Sequence, residues 1–451
     1  MTGSFTADIA ARATGLRYED IPADIVELAR QCVLDWFAVT VAGSREPAAE
    51  IVLAELAQEC GGEHGATVVA RSERLPASMA ALANGTASHA LDYDDVNTAM
   101  SGHPSVAILS ALLALGELRH GRGRDIVCAF VAGYEAQCRI AQAVGPAPYQ
   151  RGFHATGTIG TFGAAAACAR LLALDADQTA VALGIAATQA AGIKSMFGTM
   201  SKPLHAGKAC ANGLLATRLA ARGFTANPAA IEAEQGFAEV SGGRPDVDRN
   251  PREPPGGWYL RGNLFKYHAA CFATHSTIEG LRRLRRRDGF SAVDVERVVL
   301  HANASQLRMC AIPEPTTGLE AKFSLRHLAA MTLSDMDTSS TASFTDQSAR
   351  DELLVRMRQR VVVEPDGPER GGTPIQVTLR DGRSLEIAYD VSVPATDLDA
   401  QRASLQAKFA ALAVPVLGPT GSQRLAGLVA DLDQLDDVGR LLTASRPGLV
   451  A

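Results

Sequence analysis

Between Ile25 and Arg222 the chain shows helical spacing seven times in succession, near 25–43, 75–93, 104–119, 124–143, 157–173, 176–191 and 204–222, with Gly, Pro or Asp at the bounds. In the first stretch Ile25, Leu28, Cys32, Trp36 and Val39 recur at three- and four-residue steps, after Pro22 and before Gly43. Such a region buries its apolar stripes helix against helix. Its helices are rich in Ala and Gly, including Gly157, Gly160 and Gly163, and small side chains let helix axes approach closely. The GxxGxxG spacing is not the dinucleotide fingerprint, and no strand precedes it.

At 451 residues the chain is too long for one simple core. Composition changes at Ser241–Gly257, a loop dense in Gly, Pro and charge. Beyond it Glu296–Ala302 and Val361–Glu364 read as strands, and Ile375–Arg380, Asp381-Gly382 and Ser384–Val391 as a hairpin. Helical spacing near 320–333 and 348–359 makes this block α+β, and from Leu398 it becomes helical again. The expectation is a mostly α protein. A large all-helical domain is built from both chain ends (1–264 and 400–451), and a smaller α+β domain (265–399) is inserted in it.

With 47% hydrophobic and 20% charged residues the balance is that of a soluble globular protein, and the net charge of −6 disfavours nucleic acid as a partner. The run Arg282, Arg283, Arg285, Arg286, Arg287 alternates with Leu281 and Leu284 and reads as a solvated helix face. Eight cysteines are scattered without a CxxC, the pattern of reduced, buried thiols in the cytoplasm. The first residues, MTGSFTADIAARATG, carry no basic start followed by an apolar block, so no secretory signal is expected. The most apolar helices are short or carry Arg170 or Gln189 mid-run, which argues against a membrane span.

The segment Ala81–Ala107 sets His89, Asp92, Asp94, Asp95 and His103 among small apolar residues, where desolvation is costly unless these groups satisfy one another or bind something polar. One at a time they have bland readings: Asp92 or Asp94 capping a helix, His89 hydrogen-bonded in the core. The cluster as a whole reads as a site. Pro104 suits the first position of a helix, which puts His103 at its cap, facing the positive end. Three further clusters precede helix starts or a domain junction: Arg151–Thr158 with His154 and Thr156, Thr199–Lys208 with Ser201 and Lys202, and Leu264–His275 with Lys266 and His275. Together they would enclose a small polyanion.

LDYDD followed by GHPS, FHATGTIGTFGAAAA, SKPLHAGKA and FKYHAACFATH occur in this order over nearly the whole chain. They resemble the successive motifs of the MmgE/PrpD family, which includes 2-methylcitrate dehydratases, cis-aconitate decarboxylases and iminodisuccinate epimerases. The resemblance implies a helical domain with an α+β lid, a homodimer, no cofactor and no metal. It also implies a site of Asp92, His103, His154, Lys202, Lys266 and His275, acting on a di- or tricarboxylate. GFHATGTIGTFG and FGTMSKP look nearest the epimerase branch.

The chemistry expected of these residues follows from their types. Lys202 and Lys266 would hold carboxylates and stabilise an enediolate-like state. His103 and His154 would move protons, and Asp92 would orient His103. Thr156, Ser201 and His275 would contact substrate, and His205 is expected to matter less. Similar members that decarboxylate cis-aconitate carry tyrosine where this chain has His327; an imidazole titrating near neutral pH at the cleft would turn the chemistry away from decarboxylation. The leading expectation is a lyase of 2-methylcitrate dehydratase type, with epimerase and decarboxylase as alternatives. More distant are a metal-dependent hydrolase using His89, Asp92, Asp94, Asp95 and His103, and a silent carboxylate binder.

Overall fold

Small residues decide how closely the opening helices meet. The computed structural model describes residues 4–59, 65–243, 254–310, 312–369 and 371–448. The seven expected helices run over Ala23–Gly43, Ala77–Ala90, Pro104–Leu118, Gly123–Val144, Ala155–Leu171, Ala176–Ala187 and Ser201–Ala220. Where Ala77–Ala90 crosses Ser201–Ala220, a Cβ added to Gly85 would lie 2.7 Å from the Gly207 Cα. A Cβ on Gly207 would lie 2.5 Å from Thr86 Oγ1 and overlap the Leu82 carbonyl. Gly163 is equally constrained, its added Cβ falling 2.5 Å from Gln137 Oε1 of the neighbouring helix. These glycines are helix-crossing points.

The Gly85–Gly207 crossing positions the residues at the helix ends: Asp92 follows the first helix, and Lys202 opens the second. Gly207→Ala is therefore expected to cost about 1–3 kcal/mol through overpacking. It should also lower turnover by separating Asp92 from Lys202. Denaturant melts and steady-state rates measured on one preparation check both effects.

The mostly α class holds, with 61% helix and nineteen helices among the described residues. None of these helices is long and apolar enough to cross a membrane. The later block carries a four-stranded sheet in which Val361–Glu364, Val295–His301, Thr373–Leu379 and Ser384–Tyr389 lie side by side. The first pair is parallel (Val298↔Val361), and the other two are antiparallel (Val298↔Val377, Ile375↔Ile387). Helix His275–Asp288 packs on this sheet through Gly280, whose added Cβ would meet Ile375 Cδ1 at 2.7 Å. Its Leu281 and Leu284 are buried, while Arg285 pairs with Asp335 at 2.5 Å and Arg283 lies 4.1 Å over the Tyr389 ring. The arginine run is thus an outer helix face, with Arg283, Arg286 and Arg287 exposed and Arg285 tied to Asp335.

The helical spacing near 320–333 resolves into two helices, Gly318–Ala321 and Leu325–Leu333. Thr317 and Glu320 form a capping box on the first, and Ser324 Oγ accepts from the His327 amide at 3.2 Å to start the second. The stretch near 348–359 divides in the same way, into Asp346–Ala349 and Glu352–Arg358, with Asp351 capping the latter. Local hydroxyl and carboxylate caps override the continuous apolar spacing. The loop at 241–257 lies for the most part outside the described residues.

Helix Leu398–Ala430 changes direction at Gly418 (φ 73°), between Pro415 and Pro419, and packs along Ala23–Gly43. Its Lys408 ammonium reaches Asp35 at 2.6 Å and the carbonyls of Tyr93 and Lys266 at 2.7 and 3.0 Å. One buried cation therefore ties the two chain ends to the segments bearing Asp92 and Lys266. Seven cysteines are free and buried; Cys60 lies outside the described residues.

Candidate active site

The backbone of Asp92 is left-handed at φ 52°, a conformation that aspartate tolerates better than most side chains. Four residues on, Val96–Asn97 pairs antiparallel with Asn263–Leu264 (Val96↔Leu264, Asn97↔Asn263). The Tyr134 hydroxyl locks this short ladder by accepting from Asn97 Nδ2 at 2.9 Å and donating to Asn263 Oδ1 at 2.7 Å. Lys266 is thereby delivered to Asp92 across a large gap in sequence.

Two ammonium groups converge on one carboxylate oxygen. Lys202 Nζ lies 2.6 Å and Lys266 Nζ 2.9 Å from Asp92 Oδ1, and Lys266 also donates to the Asp92 carbonyl at 2.7 Å. All three residues are buried, and Asp92 Oδ2 has no hydrogen-bond partner among the described residues. Burial pushes the Asp92 carboxyl up, but the charges of Lys202 and Lys266 outweigh it and hold the group well below the ordinary carboxylate range. Burial works against the Lys266 ammonium, and the charges of Asp92 and Asp94 reverse that to raise it. Lys202 Nζ also sits 5.4 and 5.2 Å from the ring centroids of Phe197 and Phe323.

A layer of imidazoles borders this cluster. His89 Nδ1 is 2.9 Å from Asp94 Oδ2. His103 Nδ1 is 3.0 Å from the same oxygen, although its N–H is not aligned for a hydrogen bond. His103 Nε2 lies 3.8 Å from Asp92 Oδ1, and the His103 amide donates to Thr156 Oγ1 at 3.1 Å. The His154 ring stacks on His89 at 5.7 Å, and its Nδ1 is 3.0 Å from His205 Nδ1, leaving His154 Nε2 buried without a partner among the described residues. Burial takes His89 to about 3, lowers His103, and holds His154 well below its usual value. The three rings are neutral at pH 7. A third lysine, Lys322, donates to the Leu91 carbonyl at 2.7 Å and is brought by burial to about 8. Three ammonium groups facing Asp92 and Asp94 leave a positive surplus suited to a polycarboxylate.

This arrangement coincides with two family matches. The MmgE/PrpD N-terminal domain model matches residues 7–250, and the MmgE/PrpD C-terminal domain model matches 268–434. The chain belongs to the MmgE/PrpD family. Among its relatives is a cis-aconitate decarboxylase of Aspergillus terreus (strain NIH 2624 / FGSC A1156), 27% identical over 472 residues covering 97% of this chain and 95% of the relative. The Mus musculus enzyme of that name is 28% identical over 460 residues (97% and 92%), and the Homo sapiens one 26% over 465 residues (98% and 95%).

Within this candidate site Asp92, His103, His154, Lys202 and Lys266 are brought together, and Thr156 holds the backbone of His103. His275 is buried close by, but its Nε2 donates to the Ala270 carbonyl at 3.2 Å, which braces the loop carrying Lys266. Ser201 opens its helix half-buried, its amide donating to Thr199 Oγ1 at 3.2 Å. His327 is buried with Nδ1 3.4 Å from Arg358, and burial followed by the Arg358 charge brings it to about 4. That corrects the expectation of a ring titrating near neutral pH. Asp95, pushed up to about 7 by burial and the Asp35 charge, accepts from the Ser105 amide at 3.2 Å and so caps helix Pro104–Leu118. Lys322, in the turn after a short helix, and Lys408, within a long one, escaped sequence reasoning because nothing local distinguishes a lysine that the fold buries.

His89, Asp92, Asp94 and His103 also offer ligand atoms within 4.8 Å of one another. Asp92 is already shared by two ammonium groups there, and a divalent cation would face both at close range. The carboxylate at the centre of the donor set is thus committed to lysine. Dialysis against EDTA is therefore expected to leave turnover unchanged; loss of activity restored by zinc or manganese would overturn this.

Proposed function

We propose that this MmgE/PrpD lyase acts on a small di- or tricarboxylate through an enediolate-like state, with dehydration of a 2-methylcitrate-type substrate as the first reading. The observation that carries it is the convergence of Lys202 and Lys266 on Asp92, beside the neutral imidazoles of His103 and His154. A hydrogen next to a carboxylate is weakly acidic. Preorganised cations offset the developing charge, each such donor being worth roughly 10²–10³ in rate.

His103, whose Nδ1 lies beside Asp94, has its Nε2 on the Asp92 side as base. It takes the proton; the C–H electron pair becomes the new C=C bond, and the C–O bond breaks. His154 supplies the proton with which hydroxide leaves as water. If His205 Nδ1–H donates to His154 Nδ1, the hydrogen of neutral His154 sits on Nε2, from which it passes to the departing hydroxyl, and the proton taken up by His103 then returns to His154 to restore both neutral rings. The side chains alone carry each step in this reading, and the enzyme works as a cytoplasmic homodimer.

The second reading is decarboxylation, favoured by the near full-length similarity to cis-aconitate decarboxylases. There a C–C bond breaks, carbon dioxide departs, and a histidine protonates the carbanion. Purified protein incubated separately with citrate, 2-methylcitrate, cis-aconitate and iminodisuccinate in deuterated water, followed by proton NMR and carbon dioxide release, distinguishes the readings. Dehydration of 2-methylcitrate with little carbon dioxide from cis-aconitate is expected. Rapid carbon dioxide release installs the second reading, and inertness toward all four substrates overturns both.

A further inference from the structure

Lys194 is a cation the chemistry above does not use. It opens the short helical turn Lys194–Met196 beside the site, where its amide donates to the Gly152 carbonyl at 2.7 Å and Phe153 bridges Ile193. The His154 amide donates to the Gly192 carbonyl at 2.9 Å, so the two backbones are tied together. Phe197, at the end of the same turn, meets the His154 ring edge-on at 5.0 Å and lies 5.4 Å from Lys202 Nζ. The turn thus runs along the wall of the site.

The Lys194 side chain has an unusual environment. Its Nζ is shielded from solvent, has no hydrogen-bond partner among the described residues, and rests 3.9 Å from the Tyr149 ring centroid. Tyr149 lies near enough to the site to feel the charge of Asp92, and its hydroxyl donates to Met309 Sδ at 2.8 Å. Met309 is the neighbour of Arg308 on helix Ala304–Met309, and no carboxylate pairs with Lys194 or Arg308 among the described residues. Burial, and then the charge of Arg308, holds the Lys194 ammonium below its ordinary value. A desolvated ammonium without an anion thus feels a second positive charge, that of the exposed Arg308. That arrangement is costly alone and favourable around a carboxylate.

We propose that Lys194 holds a substrate carboxylate remote from the one at Lys202 and Lys266, so that the site selects a tricarboxylate over a dicarboxylate. The inference rests on the polycarboxylate reading and adds to it a specificity residue that takes no part in bond breaking. The Tyr149 face orients the ammonium by cation–π attraction, and the Lys194 charge keeps the carboxylate ionised.

The test uses two unreactive probes, propane-1,2,3-tricarboxylate and glutarate, titrated calorimetrically into wild type, Lys194→Met and Lys194→Arg. Met keeps the apolar stem on Tyr149 and removes the charge, and circular dichroism checks the fold of each variant. Wild type is expected to bind the tricarboxylate more tightly than glutarate. Lys194→Met should weaken the tricarboxylate by roughly tenfold to a hundredfold, the range for a hydrogen bond to a charged group. Glutarate binding should stay within about twofold, and Lys194→Arg should recover most of the loss. An equal loss for both probes, or none for either, overturns the subsite while leaving the polycarboxylate reading in place. Failure of wild type to bind either probe overturns that reading and the subsite together.

Discussion

Lys202→Ala is expected to lower turnover by at least about a hundredfold with the fold intact, because it removes one of the two preorganised cations at the reacting centre. The fold survives for a reason specific to this site. One carboxylate serves two ammonium groups, so deleting Lys202 leaves Asp92 still paired with Lys266 at 2.9 Å. His103→Ala should fall by a similar factor through loss of a positioned proton carrier. Lys202→Met separates charge from packing, since the methionine stem still fills the gap between Phe197 and Phe323. Single-turnover rates with circular dichroism check all three variants. Native spectra with turnover within a few-fold of wild type in Lys202→Ala and His103→Ala would make these residues structural.

His205, ranked below these residues on sequence grounds, gains importance from its 3.0 Å contact with His154. Its neighbourhood shows what local spacing leaves out. The Gly102-His103-Pro104 step placed a helix start that the structure puts at Pro104, because a proline ring and a missing N–H are purely local facts. The strand at Val361–Glu364 and the hairpin about Asp381-Gly382 were legible for the same kind of reason. Asp92, Lys202 and Lys266 could be gathered as candidates because each stands in a polar cluster near a helix start or a domain junction.

Contacts made across long separations left no such mark. Lys408 closes on Asp35 from the far end of the chain, and Lys322 reaches the Leu91 carbonyl from the turn where helix Gly318–Ala321 has just ended. The break itself was written in the Thr317–Glu320 and Ser324–His327 caps, signals of about a kilocalorie each that the stronger apolar periodicity hid. Asp94 and Asp95, adjacent in sequence, part company for a three-dimensional reason: one faces His89 and His103, the other caps Pro104–Leu118.

Asp92→Asn is expected to be the most damaging of the site variants to stability, at about 3–5 kcal/mol, the range for stranding a buried charge. Asparagine accepts the left-handed backbone that Asp92 adopts at φ 52°, so the loss is electrostatic. Two buried ammonium groups would face an amide where they now share a carboxylate oxygen. The pH dependence carries the sign. In wild type the Asp92 carboxyl is held below its unfolded value of about 3.9, so its contribution is present above that pH and lost as pH falls through the folded value. Lys266 is raised by Asp92, so its contribution is present below about 10.4 and lost only as pH rises through the folded value. In Asp92→Asn the carboxylate term vanishes, and burial then drives Lys266 down. Its neutral form becomes the stable buried species, and the variant gains stability as pH rises. Urea melts of both proteins between about pH 6 and about pH 10, the alkaline approach to the lysine range, should show the gap narrowing upward. A gap that stays constant over that interval would mean that Lys266 is held charged by some group other than Asp92.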